Sequence, residues 1–182
     1  MILLVGASAS GKTEIAKYLF QRYGMVKAIT HTSRAMRVNE RQDIDYHFVT
    51  REEFLRLKDL DSFVETTEYN GNFYGCSKAE VRDDKCIILD PQGIASFLAL
   101  HDPHIVTFFI QASEDVRRQR MQGRGDEPTA IAKRLEVDRD VFDIASVPHC
   151  DFYIDSDVKT VETLGDEIYA TYAKRIGYNP EN

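Results

Sequence analysis

The residues of this chain best suited to chemistry stand near its start, where glycines and small residues lead into a lysine and a threonine. Residues 6–13 read GASASGKT and follow an apolar run at residues 2–5. Glycines at both ends of such a segment let the backbone turn sharply with its N–H groups pointing inward, which forms a cradle for phosphate oxygens. This P-loop pattern predicts phosphate binding by Gly6, Ala7, Ser8, Ala9, Ser10, Gly11, Lys12 and Thr13.

Two side chains of the loop complete the expected site for phosphates and Mg²⁺. Lys12 would place its ammonium group toward the β- and γ-phosphates, and Thr13 would offer its hydroxyl group to Mg²⁺. The flanks support the motif. Residues 2–5 are continuously apolar, like a buried parallel strand, and apolar residues then recur at helical spacing until Gly24. The loop is therefore expected between a strand and the N-terminus of a helix, whose dipole favours an anion.

Length and composition narrow the class of protein. The chain has 182 residues, 43% of them hydrophobic, which suits one packed domain over residues 1–182. The formal net charge of −7 argues against general binding to nucleic acids or anionic membranes. Cys76, Cys86 and Cys150 are odd in number and lack metal-ligand spacing, so we expect a cytoplasmic protein without disulfides or zinc. The sequence also predicts neither a signal peptide nor a membrane span.

Further apolar runs predict the rest of a sheet. Strands are expected at residues 25–30, 86–89, 105–110 and 152–154, with helical patterns after the second and third of these runs and a closing helix at 158–176. This alternation indicates an α/β fold with a doubly wound, five-stranded parallel sheet. Ligands of such folds lie beyond the carboxyl ends of the strands.

Residues 32–82 interrupt the alternation and predict an inserted α+β subdomain. They contain a charged segment, a short strand at 46–49, a helix at 51–60 and a hairpin around Asn70-Gly71, the strongest two-residue turn signal. With that turn, the paired residues are Tyr69 with Asn72, Thr67 with Tyr74 and Glu65 with Cys76. All six share one polar face, which either faces solvent or binds a polar ligand.

A second excursion is rich in arginine. Residues 114–145 are predicted to be helical, with breaks at Gly123, Gly125 and Pro128. Arg117, Arg120 and Arg124 fall at i, i+3 and i+7, and no acidic residue stands at their i+4 positions, so local ion pairs explain the stripe poorly. A solvated face is one interpretation. The other is a helical lid at 117–140 whose arginines meet a transferring phosphoryl group.

Together these motifs resemble those of guanylate kinases. The segments that carry the resemblance are residues 6–13, Thr32-Ser33-Arg34-Ala35-Met36-Arg37, Asp45-Tyr46-His47-Phe48-Val49, Phe63-Val64-Glu65, Asn72-Phe73-Tyr74-Gly75, Arg120, Gly123-Arg124-Gly125 and Lys133-Arg134-Leu135. The resemblance implies Mg²⁺-dependent transfer of the ATP γ-phosphoryl group to GMP or dGMP, giving ADP and the guanine nucleotide diphosphate. It also implies that the insertion binds the monophosphate.

The resemblance assigns roles to individual residues. It places the acceptor phosphate against Thr30, Arg34, Arg37, Tyr46 and Tyr74, and the guanine base against Glu65 and Cys76. Lys12, Arg34, Arg120, Arg124 and Arg134 are the expected catalytic residues. The chemistry agrees, because arginine forks match phosphate oxygens and a carboxylate accepts from the guanine N1–H and amino groups. Asp90 would contact GMP or the water shell of Mg²⁺, or else cap a helix.

Three departures from the family pattern keep other functions open. Cys76, which is either a weak donor to guanine or a buried small residue with no ligand role, stands where the family has serine or threonine. The turn after Asp90 is shortened, and Asp155-Ser156-Asp157 replaces an Asn-Asp pair that resembles an adenine contact in relatives. The first two suggest a kinase of another phosphorylated acceptor. A non-catalytic protein-binding module is the third alternative, although such modules characteristically have a damaged P-loop and lid, which this chain does not.

Overall fold

A parallel sheet with helices on both faces organises the chain. The computed structural model describes residues 1–143 and 147–178. In chain order the elements are β1 (Ile2–Val5), α1 (Lys12–Tyr23), β2 (Val26–Lys27), β3 (His31–Thr32), β4 (His47–Phe48), α2 (Arg51–Asp59), β5 (Phe63–Tyr69), β6 (Asn72–Ser77), β7 (Lys85–Ile88), α3 (Pro91–Leu98), β8 (Val106–Gln111), α4 (Glu114–Gly123), α5 (Pro128–Val141), β9 (Phe152–Asp155) and α6 (Val161–Ile176).

The main sheet has five parallel strands in the order β2-β7-β1-β8-β9. The chain moves from β1 to one side of the sheet first and to the other side later, so the order reverses beside β1. This topology confirms the predicted doubly wound α/β fold. It also puts a crevice beyond the carboxyl end of β1, where ligands of open α/β sheets bind.

Alternate residues of β1 face two separate apolar clusters. Leu4 packs in one cluster with Ile15 of α1 and Ile168 of α6. Leu3 packs in the other with Phe97 of α3. All four residues of β1 are fully buried, as the continuous apolar run predicted. The loop that leaves this strand therefore starts from a point held on both faces of the sheet.

A second sheet of four strands, in the order β4-β3-β6-β5, lies within the segment predicted as an insertion, except that β3 begins one residue before it, at His31. Its hairpin turns at Asn70 and Gly71, whose φ angles of 49° and 73° are both positive, as a type I′ turn requires. The strands pair Tyr69 with Asn72, Thr67 with Tyr74 and Glu65 with Cys76. The predicted register is therefore confirmed, whereas the boundaries of the insertion at 32 and 82 stay a prediction.

The strand expected at residues 25–30 is shorter than predicted. β2 covers only Val26–Lys27, and the chain joins the second sheet at β3. The Ala28 N–H still donates to Cys86 at 2.9 Å, but the Ile29 N–H donates to Glu80 Oε2 at 2.8 Å instead of to a neighbouring strand. A carboxylate thus replaces the next ladder partner and releases the chain from the sheet.

The predicted helices are also reshaped at their ends. The segment predicted as helical from residue 114 contains two helices, α4 and α5, separated by a turn in which Gly125 has a φ of 80°. The predicted positions 144 and 145 lie outside the described residues, as do residues 179–182 of the expected domain. α6 begins at Val161 rather than at 158 because Thr160 caps it, accepting from the Thr163 N–H at 3.3 Å.

None of the helices in the described ranges is long and apolar enough to cross a membrane.

Substitution of Gly75, on strand β6, tests how tightly the hairpin is packed. A Cβ atom at this position would lie 2.9 Å from the carbonyl oxygen of Glu65 and 3.2 Å from a ring carbon of Phe54. Gly75→Ala should therefore lower the free energy of unfolding by about 1–3 kcal/mol, since overpacking displaces neighbouring groups. Urea unfolding measures the change. Gly123→Ala is the matched control, because a Cβ atom there would have no described heavy atom within 4 Å apart from its chain neighbours and its own helix backbone. Equal losses in the two variants would contradict the prediction.

Candidate active site

The loop after β1 has the backbone of a phosphate cradle. Gly6 has a φ of 147°, and a Cβ atom there would lie 2.3 Å from the carbonyl oxygen of Ile110 on β8. Gly11, with a φ of 104°, immediately precedes α1. The glycines therefore carry the chain from β1 directly into a helix N-terminus, where unpaired N–H groups and the helix dipole favour an anion.

Lys12 folds back over this loop. Its Nζ donates to the carbonyl oxygens of Gly6 at 2.6 Å and Ala7 at 2.7 Å. Burial lowers the pKa of Lys12 to about 8; the Asp138 carboxylate opposes this effect, and Arg117 adds to it. The ammonium group thus lies at the cradle. Phosphate oxygens could replace the two carbonyl oxygens that accept its hydrogen bonds.

A cleft of about 480 Å³ opens beside the loop and the start of α1. Thr13 lines it from α1, Arg120 and Arg124 from the α4 region, and Val161 and Leu164 from α6. This mixture of positive charge and apolar side chains suits a phosphorylated ligand that also carries a flat ring system.

Thr13 is the protein ligand expected for Mg²⁺, and its side chain is exposed in the first turn of α1. Within residues 1–143 and 147–178, no group of three or more His, Cys, Asp or Glu side chains is arranged to hold a metal ion. Mg²⁺ usually keeps several waters and binds through one or two protein groups plus substrate phosphates. A single hydroxyl group at the cradle fits a metal that arrives with a nucleotide.

Arg120 joins α4 to the loop and to the end of β9. Its Nη1 donates to the Ala9 carbonyl oxygen and to Ser156 Oγ, both at 3.2 Å, and its Nη2 donates to the Ser156 carbonyl oxygen at 2.5 Å. The fully buried Ser156 in turn donates its hydroxyl to the Ser10 carbonyl oxygen at 2.9 Å. The structure therefore places Arg120 beside the loop. Sequence reasoning missed the part played by Ser156, because no local motif links it to Ser10.

Arg124 and Arg134 converge on one carboxylate. Arg134 Nη1 donates to Asp126 Oδ2 at 2.8 Å, and Arg124 Nη2 lies 3.5 Å from the same oxygen. The stripe has no i+4 ion pair, as the sequence indicated, but Arg124 is paired with Asp126, which lies in the turn between α4 and α5. Arg117, the first arginine of the predicted stripe, is not on an exposed face: its side chain is buried and forms an ion pair with Asp138.

An arginine and two phenol rings meet on the second sheet. Arg34 makes a two-pronged ion pair with Glu40, at 2.8 and 3.0 Å. Its guanidinium carbon lies 5.6 Å from the centre of the Tyr46 ring, and the Tyr46 and Tyr74 rings are 6.1 Å apart. Three of the predicted acceptor-phosphate residues are thus brought together. Glu40, which sequence reasoning did not single out, holds the guanidinium of Arg34 in place.

Two other residues predicted to bind the acceptor phosphate make hydrogen bonds through their backbone groups. The Arg37 N–H donates to Glu40 Oε2 at 2.8 Å, and the exposed Arg37 side chain extends from the same loop. Thr30 precedes β3, and its carbonyl oxygen accepts from the His47 N–H at 2.9 Å. The roles of Arg37 and Thr30 toward a ligand stay predictions.

Glu65 lies beside Cys76 on the facing strand. Its Oε1 accepts from the Cys76 N–H at 3.1 Å. Burial raises the pKa of Glu65; the hydrogen bond from Cys76 opposes this shift, and the charge of Asp90 adds to it. The Cys76 side chain is fully buried, and burial raises the pKa of its thiol to about 12. The hairpin face therefore pairs a partly desolvated carboxylate with a neutral thiol.

Asp90 stands at the carboxyl end of β7 and caps α3. Its Oδ1 accepts from the Gly93 N–H at 2.7 Å, so the capping alternative is confirmed.

The sheet, the cradle with its cationic cleft and the arginine–tyrosine–carboxylate surface together define a P-loop nucleoside monophosphate kinase. More specifically, the chain belongs to the guanylate kinase family, whose family model matches residues 1–164. The predicted resemblance is thus confirmed, and the protein is a guanylate kinase-like phosphotransferase.

Individual relatives agree with this placement. The chain is 34% identical over 163 residues to the guanylate kinase of Anaplasma phagocytophilum strain HZ, covering 84% of this chain and 75% of that protein. It is 35% identical over 143 residues to the guanylate kinase of Sus scrofa, with coverage of 74% and 72%. The crystal structure of guanylate kinase from Anaplasma phagocytophilum matches the fold with a TM-score of 0.58 and 26% identity, over 96% of this chain and 84% of that one.

The pKa of Lys12 predicts a pH dependence of anion binding. Lys12 is charged below about pH 8 and becomes neutral above it. The affinity for ATP should therefore fall as pH rises through about 8, by up to about tenfold per pH unit, since each bound ATP then has to recruit a proton. Calorimetric titration with ATP between pH 7 and 9.5 measures this. Lys12→Arg should bind with little pH dependence, and a flat wild-type profile would contradict the prediction.

Proposed function

We propose that the protein transfers the γ-phosphoryl group of ATP to GMP or dGMP in an Mg²⁺-dependent reaction, giving ADP and the corresponding diphosphate. The cytoplasm is the proposed location, where Cys76, Cys86 and Cys150 would remain reduced.

The face of the hairpin carries the acceptor assignment. Glu65 pairs with Cys76, and Thr67 pairs with Tyr74 two residues further along the strands. Same-face neighbours in a strand are about 7 Å apart. Glu65 is therefore a diagonal cross-strand neighbour of Tyr74 on the same face, and the Tyr74 ring lies near the Tyr46 ring, which is itself close to Arg34. This face offers an acceptor for a base at one end and donors for a phosphate at the other.

Guanine fits the base end of this face. Its N1–H and exocyclic amino group are adjacent donors, and the Glu65 carboxylate is an acceptor-only group when ionised. The burial that raises the pKa of Glu65 also removes competing water, which strengthens such bonds. Adenine would place an acceptor nitrogen against the carboxylate and leave it without that donor. The residues proposed to bind the acceptor nucleotide, GMP or dGMP, are Thr30, Arg34, Arg37, Tyr46, Glu65, Tyr74, Cys76 and Asp90.

The donor nucleotide is proposed to bind in the cleft beside the loop, against residues 6–13. Lys12 and the loop N–H groups would hold its phosphates. Arg120, Arg124 and Arg134 would meet the negative charge that spreads over the transferring group, in a site from which the lid excludes water. Mg²⁺, when bound with the nucleotide at Thr13, supplies charge neutralisation.

Phosphoryl transfer requires little covalent work from a protein. The reaction depends on bringing two phosphates in line and on stabilising the charge between them. The side chains of this protein accordingly bind, orient and neutralise, and the proposal assigns none of them a covalent intermediate.

The reaction is tested by following ADP release from ATP with GMP, dGMP, AMP, CMP and UMP. We expect turnover with GMP and dGMP, and a loss of about 100-fold or more in kcat for Lys12→Ala, comparable to removing one transition-state donor. Lys17→Ala is the matched control, because Lys17 is an exposed lysine of the same helix paired with Glu14 at 2.8 Å. Unfolding temperatures verify that both variants are folded.

Other outcomes of this assay separate the alternatives. Near wild-type turnover in Lys12→Ala would refute the kinase mechanism at this loop. Turnover of a different phosphorylated acceptor would replace GMP in the proposal. A folded wild-type protein that binds ATP but phosphorylates none of the acceptors would instead favour a binding module.

Base selectivity is tested at the hairpin. Glu65→Ala should lower the GMP-to-AMP ratio of kcat/KM by about 10-fold or more, since a charge-assisted hydrogen bond contributes roughly 1.5–3 kcal/mol. Cys76→Ser should keep or raise the ratio, because a hydroxyl is the better donor to guanine O6. Glu68→Ala is the matched control on the same strand, where the side chain is exposed. An unchanged ratio in Glu65→Ala would refute the guanine assignment.

A further inference from the structure

A buried ion pair joins the two helices of the predicted lid beside the P-loop. Arg117 of α4 donates from Nη1 to Oδ2 of Asp138 on α5 at 2.6 Å, and each side chain is only 7% exposed. The roles proposed so far use neither residue.

The pair surrounds the polar groups of Ser8. The Ser8 N–H donates to Asp138 Oδ2 at 2.9 Å, and the Ser8 hydroxyl donates to Asp138 Oδ1 at 3.2 Å. Arg117 Nη1 also lies 3.5 Å from the Ser8 carbonyl oxygen. The orientation of the peptide groups on both sides of Ser8 is therefore set by residues of the lid helices.

Stability alone explains this pair poorly. Within the described ranges, Arg117 Nε is buried without a hydrogen-bond partner. The attraction between two buried charges offsets the free-energy cost of their desolvation only when their remaining hydrogen-bond donors are also satisfied. Apolar residues can often replace such pairs with no loss of stability. An apolar pair could not, however, accept hydrogen bonds from Ser8.

The residue after Ser8 is strained. Ala9 has a φ of 60°, a left-handed conformation that is costly for alanine and persists where the surroundings enforce it. Its carbonyl oxygen accepts from Arg120, and its side chain packs against the apolar cluster that Met121 of α4 forms with Ile131 and Leu135 of α5. The same two helices thus hold Ser8 by charge and Ala9 by packing.

We propose that Arg117 and Asp138 are positioning residues that hold Ser8 and the strained Ala9 so that the loop N–H groups converge on the donor phosphates. This inference rests on the proposed function in taking ATP as the ligand of the loop. Asp138 acts through Ser8 rather than by contact with the nucleotide. Its charge also opposes the effect of burial on Lys12, which helps keep that ammonium group protonated.

The test separates positioning from stability with a double variant, Arg117→Met/Asp138→Leu, which removes both charges together. We expect it to unfold within a few degrees of the wild type. Its ATP dissociation constant, measured by calorimetry, should rise at least tenfold, whereas its KM for GMP should change less than twofold. Hydrogen exchange at the Ser8 amide should become at least tenfold faster, because its acceptor is gone.

Glu114→Gln is the matched control. Glu114 of α4 pairs with Arg139 of α5 at 2.8 Å, so it joins the same helices through an exposed ion pair. Glu114 accepts hydrogen bonds from Arg118 and Arg139, which both lie on the helices and not in the loop. Its ATP affinity and Ser8 exchange should stay within twofold of the wild type.

Two results would overturn the inference. The first is a wild-type ATP affinity and Ser8 exchange rate in the double variant, and the second is a parallel loss of ATP affinity, GMP affinity and unfolding temperature, which indicates a structural role. If the double variant does not fold, Asp138→Asn decides: it should bind ATP at least threefold more weakly while remaining folded, and wild-type affinity would refute the proposal.

The proposed function can fail separately. A wild-type protein that binds ATP but phosphorylates no guanine nucleotide refutes the reaction, whereas ATP affinity and Ser8 exchange still test the positioning role. A wild-type protein that does not bind ATP overturns both.

Discussion

The close approach of Gly6 to the carbonyl oxygen of Ile110 determines where the loop leaves the sheet. No side chain at position 6 fits between β1 and β8. The chain therefore turns away from the sheet at Gly6 and enters α1 above the carboxyl ends of the strands. Because all five strands run in parallel, the same edge receives Asp90 from β7 and Ser156 from the end of β9. The phosphate cradle and its neighbours thus depend on one contact that only glycine allows.

The cationic side chains around this edge differ in how firmly they are held. Arg134 is half exposed and shares Asp126 with Arg124, and an exposed ion pair is worth about 0–1 kcal/mol, so either arginine can exchange its carboxylate for a phosphate at little cost. Arg34 is held differently, because two hydrogen bonds to Glu40 fix the orientation of a side chain that is only 15% exposed. The degree of burial therefore separates weakly held arginines from the firmly held one.

The sequence predicted those parts of the structure that local patterns encode. The apolar run at β1 and the Asn70-Gly71 turn each determine their own geometry, and the turn also sets the register that places Glu65 opposite Cys76. Contacts between distant segments were not predictable in the same way. Glu80 accepts a hydrogen bond from Ile29, 51 residues earlier, and Ser156 donates one to Ser10, 146 residues earlier. No periodicity or motif in the sequence predicts either contact.

Cys76 shows how a departure from a family pattern can be compatible with the same chemistry. Its thiol is neutral and fully buried among apolar residues that include Ala28 and Ile87. Burial also raises the pKa of the neighbouring Glu65, and hydrogen bonds to a desolvated carboxylate are stronger than those made in water. Under the proposed function, a weaker donor at Cys76 would therefore accompany a stronger acceptor at Glu65, and selectivity for guanine would rest mainly on the carboxylate.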